Sequence, residues 1–392
     1  MKILLINYEC PPLGGGGGVA SFQLAQELAK RHDVDYLTTG FGNLPKYEVI
    51  NDVHIYRVPV INRKELSTAT FVSMLSFIPE GFLKGITLCK KKKYNCIHAL
   101  FVVPSGICGL GLSRLFQIPL VLTALGGDVY DPSKRHSPHR SGILKKVISF
   151  LFNHSDKNTV ESDNLRDMIL QYYSPRQPVD VIPLGFLKPE FTRKSRAEIH
   201  IPEKRTILIS VGRLVRRKGY EYAIRALSTL PDASYHYYVI GDGPEETTLK
   251  NLVVALGLEN NITFLGYVSD DIKFQYLTVS DIFLLPSMHE GFGICLLEAM
   301  HCGLPIVSTD NGGQTDILKD RVNALLVSGN DSDAFAEKIK ELMLDETLRK
   351  NISINNIRDI SHYYIEKIVS EYETLYSDLI KTRSNEGLHE NR

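Results

Sequence analysis

The sequence predicts an α/β protein built from two doubly wound parallel-sheet domains. Three observations lead to that expectation. Short β-type runs alternate with helical patterns along the whole chain, as successive βαβ units do. The chain has 392 residues, more than one hydrophobic core usually organises. Near its middle, the stretch PLGFLKPE at 183–190 breaks the pattern with two prolines and a glycine, and a charged, helix-poor segment follows. The expected domains are therefore 1–184 and 185–361.

In the first domain, β-type runs predict strands at 2–7, 34–38, 53–58, 95–98, 119–123, 157–160 and 179–182. Helical periodicity places helices at 19–31, 104–116, 141–152 and 163–172. Five consecutive glycines, Gly14 to Gly18, lie between the first strand and the first helix, where they permit a tight turn and a close backbone approach. The run FVSMLSFIPEGFLKGITLCKKKK at 71–93 is apolar at helical spacing, divided by Pro79 and Gly81, and closed by four lysines. It reads as an interfacial helix pair with a basic rim, suited to an anionic membrane, or as a core-packed helix whose lysines favour the C-terminal end of the dipole. In the second domain, strands are expected at 206–212, 235–240, 262–265, 281–285, 305–308 and 324–327. Helices are expected at 219–229, 245–256, 271–279, 293–302 and 332–343. A last long helix covers about 362–382, and the polar 383–392 reads as a disordered tail.

Composition narrows the function classes. Apolar residues make up 43% and charged residues 23%, as in an ordinary soluble globular protein. The formal net charge is zero, but residues 1–185 carry 21 Lys and Arg against 15 Asp and Glu, and the remainder carries 24 against 30. The basic first half suggests an anionic partner such as a membrane surface or a phosphorylated acceptor, and is too mild to argue for nucleic acid. The six cysteines show no metal-ligand spacing and sit mostly in apolar runs, which suits a reduced, cytoplasmic setting. No stretch of 18 uninterrupted apolar residues is present, so no spanning segment is expected.

The segment PSMHEGFGICLLEAMHCGLPIVSTDNGG at 286–313 carries the chemistry. A strand-like run precedes it, Gly291-Phe292-Gly293 form a loop, and an apolar helical run from Ile294 follows. A glycine loop at a helix start leaves backbone N–H groups free to hold a phosphate. Glu298 falls about one turn into the helix, where a carboxylate can accept both hydroxyls of a ribose. Glu290, in the loop, is placed to meet what hangs beyond the phosphates.

The Glu290-x7-Glu298 spacing, the EGFG start and the LEAM–CGLP continuation closely resemble the retaining family 4 glycosyltransferases of GT-B fold. The resemblance implies two domains facing a cleft, with an N-terminal acceptor-binding domain, a C-terminal nucleotide-sugar domain and a last helix that packs back on the first domain. The stretch 183–187 resembles the family's hinge, with Leu184 and Leu187 in place of its Asn and Asp. Arg213 and Lys218, in the loop after the first strand of the second domain, match the family's pair that neutralises and stabilises the leaving diphosphate. Arg216 and Arg217 match nothing and read as solvated. The resemblance gives Glu290 the sugar hydroxyls, and it puts Gly16 and Gly17 beside the donor phosphates. Gly312 and Gly313 resemble a Gly-Gly loop on the sugar side.

Two departures bear on the acceptor side. Leu125 stands before Gly126-Gly127-Asp128 where many relatives carry His, and Leu100 stands where a second His is common. His98 and Asp128 remain as candidates: Asp128 as a group that orients or deprotonates the acceptor hydroxyl, or as a turn cap; His98 as a functional group, or as a core histidine. The resemblance further implies no bound metal, no cofactor beyond the nucleotide-sugar co-substrate, UDP as the donor nucleotide, and a role in cell-envelope polysaccharide or glycolipid synthesis at the inner face of the membrane. A catalytically inactive nucleotide-sugar-binding subunit and a sugar-nucleotide epimerase of similar fold are the alternatives.

Overall fold

A computed structural model describes residues 1–66, 68–133 and 137–389. The chain forms two compact units: Met1–Leu187 together with the segment from Tyr364 onward, and Lys188–Tyr363.

In the first unit, β1 (Lys2–Asn7), β2 (Asp33–Thr39), β3 (Tyr47–Ile50), β4 (Val53–Val58), β5 (Cys96–Leu100), β6 (Leu120–Ala124), β7 (Lys157–Val160) and β8 (Val179–Val181) form one sheet in the order β3-β4-β2-β1-β5-β6-β7-β8. Every pair is parallel except β3 with β4. The connecting helices are α1 (Gly16–Ala29), α2 (Phe71–Lys91), α3 (Ile107–Phe116), α4 (Gly142–His154) and α5 (Asp163–Tyr173). The second unit holds the all-parallel sheet β11-β10-β9-β12-β13-β14, with β9 (Thr206–Val211), β10 (Tyr235–Ile240), β11 (Ile262–Gly266), β12 (Ile282–Leu285), β13 (Ile306–Thr309) and β14 (Leu325–Val327). Its helices are α6 (Tyr220–Leu227), α7 (Glu246–Ala255), α8 (Asp270–Val279), α9 (Ile294–His301), α10 (Gln314–Ile317), α11 (Ser332–Leu344) and α12 (Glu346–Asp359). The last helix, α13 (Ile365–His389), belongs to the first unit.

Strand periodicity explains the layers. Along β1, Leu4 and Ile6 point into one core with Phe77 of α2, Leu112 of α3 and Phe152 of α4. Ile3 and Leu5 point into the other, with Leu28 of α1 and Ile368, Val369 and Tyr376 of α13. Both faces of β1 are buried, so it reads as a nearly continuous apolar run. Strand order reverses between β1 and β5 in the first sheet and between β9 and β12 in the second. Crevices beyond the carboxyl ends of such reversal points are where doubly wound sheets bind ligands.

Two elements lie outside the expected set, and two expectations are corrected. The antiparallel edge strand β3 was not foreseen, because its four half-exposed residues carry little pattern. Helix α12 was missed because it is largely polar and buries only Ile352 and Asn356. The stretch 71–93 is one helix rather than a pair: Thr70 and Ser73 cap it reciprocally, and it continues through Pro79. Its glycines serve packing; a Cβ on Gly85 would lie 2.3 Å from Leu112, so glycine lets α2 lie close to α3. Finally, the expected disordered tail is helical as far as His389, and 390–392 fall outside the described residues. Extending an existing helix costs far less than starting one, so polar composition does not end it.

By length and composition α2 is apolar enough to cross a membrane. One of its faces, including Phe77, Gly81, Gly85 and Leu88, is committed to the first unit's core, while Phe71, Val72, Leu75 and Leu83 are exposed.

Candidate active site

In the second unit, β12 runs into a loop that ends at Gly293, which holds φ +100° and starts α9 without a side-chain cap. That left-handed conformation suits glycine and leaves the first backbone N–H groups of α9 without a side-chain acceptor. Glu290 lies in this loop and is buried. Its Oε1 accepts from Lys218 Nζ at 2.5 Å and from Ser287 Oγ at 2.6 Å, and Arg217 Nη1 lies 3.6 Å from Oε2. Burial pushes the carboxyl pKa up, but the charges of Lys218 and Arg217 with the Lys218 and Ser287 hydrogen bonds outweigh it, so Glu290 titrates below its ordinary value and stays ionised.

The backbone of the same loop pairs with the loop after β13. Gly313 N–H donates to Glu290 O at 2.8 Å, and a Cβ on Gly312, at φ +109°, would lie 2.4 Å from that oxygen. The loop after β9 joins from the other side: Met288 N–H donates to Arg217 O at 2.7 Å. Arg213 sits exposed just beyond the carboxyl end of β9. The structure thus brings together Lys218, Glu290, Gly291, Gly293, Gly312 and Gly313 at the strand-order reversal.

Glu298 lies on the second turn of α9 and accepts from Lys273 Nζ of α8 at 2.6 Å. Burial raises its pKa, and Lys273 offsets this only in part. Lys273 and Ser287 were not singled out from the sequence. Lys273 is 25 positions from its partner, and no local pattern marks it. Arg217, expected to be solvated, instead holds His289 O at 3.3 Å and faces Glu290, because the short turn Arg216–Lys218 directs it back over the loop. Phe292 is also corrected: its ring is buried edge-on to Tyr363, so only its backbone is left to face a ligand.

The remaining candidates belong to the first unit. Gly16 and Gly17 open α1, and a Cβ on Gly17 would lie 2.9 Å from the Phe101 ring. His98 is fully buried, with Nδ1 2.6 Å from Tyr376 Oη of α13 and Nε2 2.6 Å from Thr123 Oγ1. Burial lowers its pKa to about 3, so it stays neutral, and its burial and two hydrogen bonds are those of a core histidine. Asp128 accepts from the backbone N–H of Val102 at 2.6 Å and of Leu125 at 3.0 Å. It ties the loops after β5 and β6 together, as the alternative reading of a turn cap expects. Leu125 is buried next to Gly17. Among the described residues, Asp33, Asp35 and His54 are close enough to share a cation, but Lys92 Nζ already lies 3.2 Å from Asp33 and 2.9 Å from Asp35.

Two doubly wound parallel-sheet units with a phosphate-type loop and paired buried acids define a glycosyltransferase of GT-B type. Family comparison makes this specific. A family model described as Glycosyltransferase Family 4 matches residues 14–186, and one described as Glycosyl transferases group 1 matches 191–359. The chain belongs to glycosyltransferase family 4. Among similar proteins is the N-acetyl-alpha-D-glucosaminyl L-malate synthase of Bacillus anthracis, 26% identical, with 97% of this chain and 99% of that protein covered. Another is the UDP-Gal:alpha-D-GlcNAc-diphosphoundecaprenol alpha-1,3-galactosyltransferase of Escherichia coli, 26% identical over 97% and 98% of the two chains. Sucrose-phosphate synthase from Thermosynechococcus elongatus shares the fold with a TM-score of 0.85 at 22% identity, over 97% of this chain and 100% of that one. Anabaena HepE, solved with UDP, does so with a TM-score of 0.76 at 22% identity, over 96% and 100%.

Proposed function

We propose that the chain moves a sugar from a UDP-sugar to a hydroxyl of a glycan or lipid-linked acceptor, with retention at the anomeric carbon and without a divalent ion. The observation that carries this reading is the pair of buried acids, Glu290 in the glycine loop and Glu298 one helical turn further on, flanked by Lys218. Glu298 accepts the ribose hydroxyls. The N-terminus of α9, Arg213 and Lys218 carry the diphosphate as its negative charge grows. Glu290, ionised, accepts hydroxyls of the transferred sugar. The departing phosphate takes the acceptor's proton on the face it leaves, so no protein nucleophile is required.

The relatives' names support this reading: one acts from UDP-galactose on a diphosphoundecaprenol-linked sugar, and another joins a glucosaminyl group to L-malate. Calorimetric titration of UDP, GDP, ADP and NAD tests the donor. UDP binding by wild type, weakened by roughly 1.5–3 kcal/mol in Glu298→Ala, is the expected result. Unchanged UDP affinity in that variant would remove the assignment. Transfer is expected to continue undiminished in EDTA; loss restored by magnesium would overturn metal independence.

For an acceptor anchored in lipid, α2 is the proposed contact with the membrane surface. Its exposed Phe71, Val72, Leu75 and Leu83 form an apolar surface on a helix whose last turn carries Lys90 and Lys91, an apolar face with a cationic end. Flotation with anionic vesicles should carry the wild type, and Leu75→Glu/Leu83→Glu should stay behind; equal behaviour would exclude this surface. A second reading, a binding subunit without catalysis, draws on Leu125 and on the structural duties of His98 and Asp128. Turnover of any UDP-sugar by the purified chain would exclude it.

A further inference from the structure

We infer that Lys273 is a positioning residue for the donor nucleotide, holding Glu298 ionised and aimed; this rests on the reading of Glu298 as the ribose acceptor. Lys273 Nζ lies 2.6 Å from Glu298 Oε1 and 2.8 Å from Asp270 Oδ1. The side chains of Lys273 and Glu298 are 15% and 12% exposed, whereas Asp270 is 82% exposed. The Lys–Glu contact is therefore shielded, and the surface carboxylate only steadies the lysine. Ser269 accepts from Ile272 N–H and fixes the turn of α8 from which Lys273 projects. Its ammonium also lies 5.0 Å from the centre of the Phe274 ring, which limits its freedom.

The chemistry explains why such a partner is needed. Two ribose hydroxyls donate best to a carboxylate; a carboxylic acid is a weaker acceptor and carries a competing O–H. Burial favours the acid. The charged or titratable groups facing Glu298 are Lys273 and Asp270 of α8, Lys218 of the loop after β9, and Cys295 and Cys302 at the two ends of α9. Both thiols are pushed up to about 12 and stay neutral. Asp270 opposes ionisation and Lys218 is engaged with Glu290, so Lys273 is the main compensating charge.

Calorimetric UDP titrations between about pH 6 and pH 9 on wild type, Lys273→Met, Lys273→Arg, Glu298→Gln and the double variant Lys273→Met/Glu298→Gln test this. UDP's own titration is common to all five proteins, so ratios to wild type report the protein. In Lys273→Met, affinity at neutral pH should fall roughly tenfold and recover as pH rises, because Glu298 loses its cation and ionises only at higher pH. Lys273→Arg should bind within about twofold of wild type, keeping the charge. In the Glu298→Gln background, Lys273→Met should change affinity by less than about twofold. Wild-type affinity and pH profile in Lys273→Met, or an equal loss in both backgrounds, would overturn the inference while leaving the ribose reading intact. Wild-type affinity in Glu298→Gln would instead remove the ribose reading, and the inference with it.

Discussion

Lys218→Ala should lower kcat by roughly 10²- to 10³-fold, as removal of one charge-stabilising group from a preorganised site does. Two losses combine. The leaving diphosphate loses a cation, and Glu290 loses the partner at 2.5 Å that keeps it ionised in a buried loop. Among the described residues, Arg217 at 3.6 Å and the Ser287 hydroxyl then remain on the Glu290 carboxylate. A buried ion stripped of its partner costs about 3–5 kcal/mol of stability, so the variant should also melt earlier. The pH dependence has a definite sign. Glu290 titrates below its ordinary value in the folded protein, so its stabilising contribution is complete above the unfolded carboxyl pKa and is lost as pH falls through the folded one. In Lys218→Ala that loss should begin at higher pH. Adding Glu290→Gln should restore much of the stability but none of the rate. Steady-state kinetics with thermal melts separates the two effects; a kcat within a few fold of wild type would remove Lys218 from the leaving-group role.

His98→Gln should change acid stability and leave transfer per folded molecule intact. The buried imidazole is neutral, with a pKa near 3 against 6.5 for the unfolded chain. Between those values the unfolded chain binds the extra proton, so stability falls as pH drops, at most about 1.4 kcal/mol per pH unit. Without the histidine, the slope of unfolding free energy against pH between about 6 and 4 should flatten. At neutral pH the lost contacts to Tyr376 and Thr123 should cost about 1–3 kcal/mol. Denaturant melts across that pH range check the slope. A large fall in kcat with unchanged stability would return His98 to the candidate catalytic groups.

These two residues show where sequence reading stops. His98 ends an apolar run near the expected ligand end of a strand, and from the chain alone a core and a functional histidine look alike. What favours the core reading is Tyr376, 278 positions away on α13, whose hydroxyl lies 2.6 Å from the ring. Asp128 likewise precedes no local signal for its tie to Val102, 26 positions back. Arg217 reads as solvated because it matches no family position; the loop after β12 brings Glu290 to it. Helix α2 reads as divided at Pro79 and Gly81, but its glycines serve packing: a Cβ on Gly81 would meet Phe77 of the same helix, and one on Gly85 would meet Leu112 of α3.

The sequence by itself determined the doubly wound fold, the strand–loop–helix around Glu290 and Glu298, and the family. Those features are written in periodicity and in backbone conformation over a few neighbouring residues, such as the glycine that starts α9. Tertiary structure alone decided which charge meets which: Lys218 on Glu290 across 72 positions, and Lys273 on Glu298 across 25. The physical reason is that ionisation and hydrogen bonding depend on burial and on partners within a few ångströms, and in a doubly wound sheet the chain order of those partners is scrambled by the crossovers.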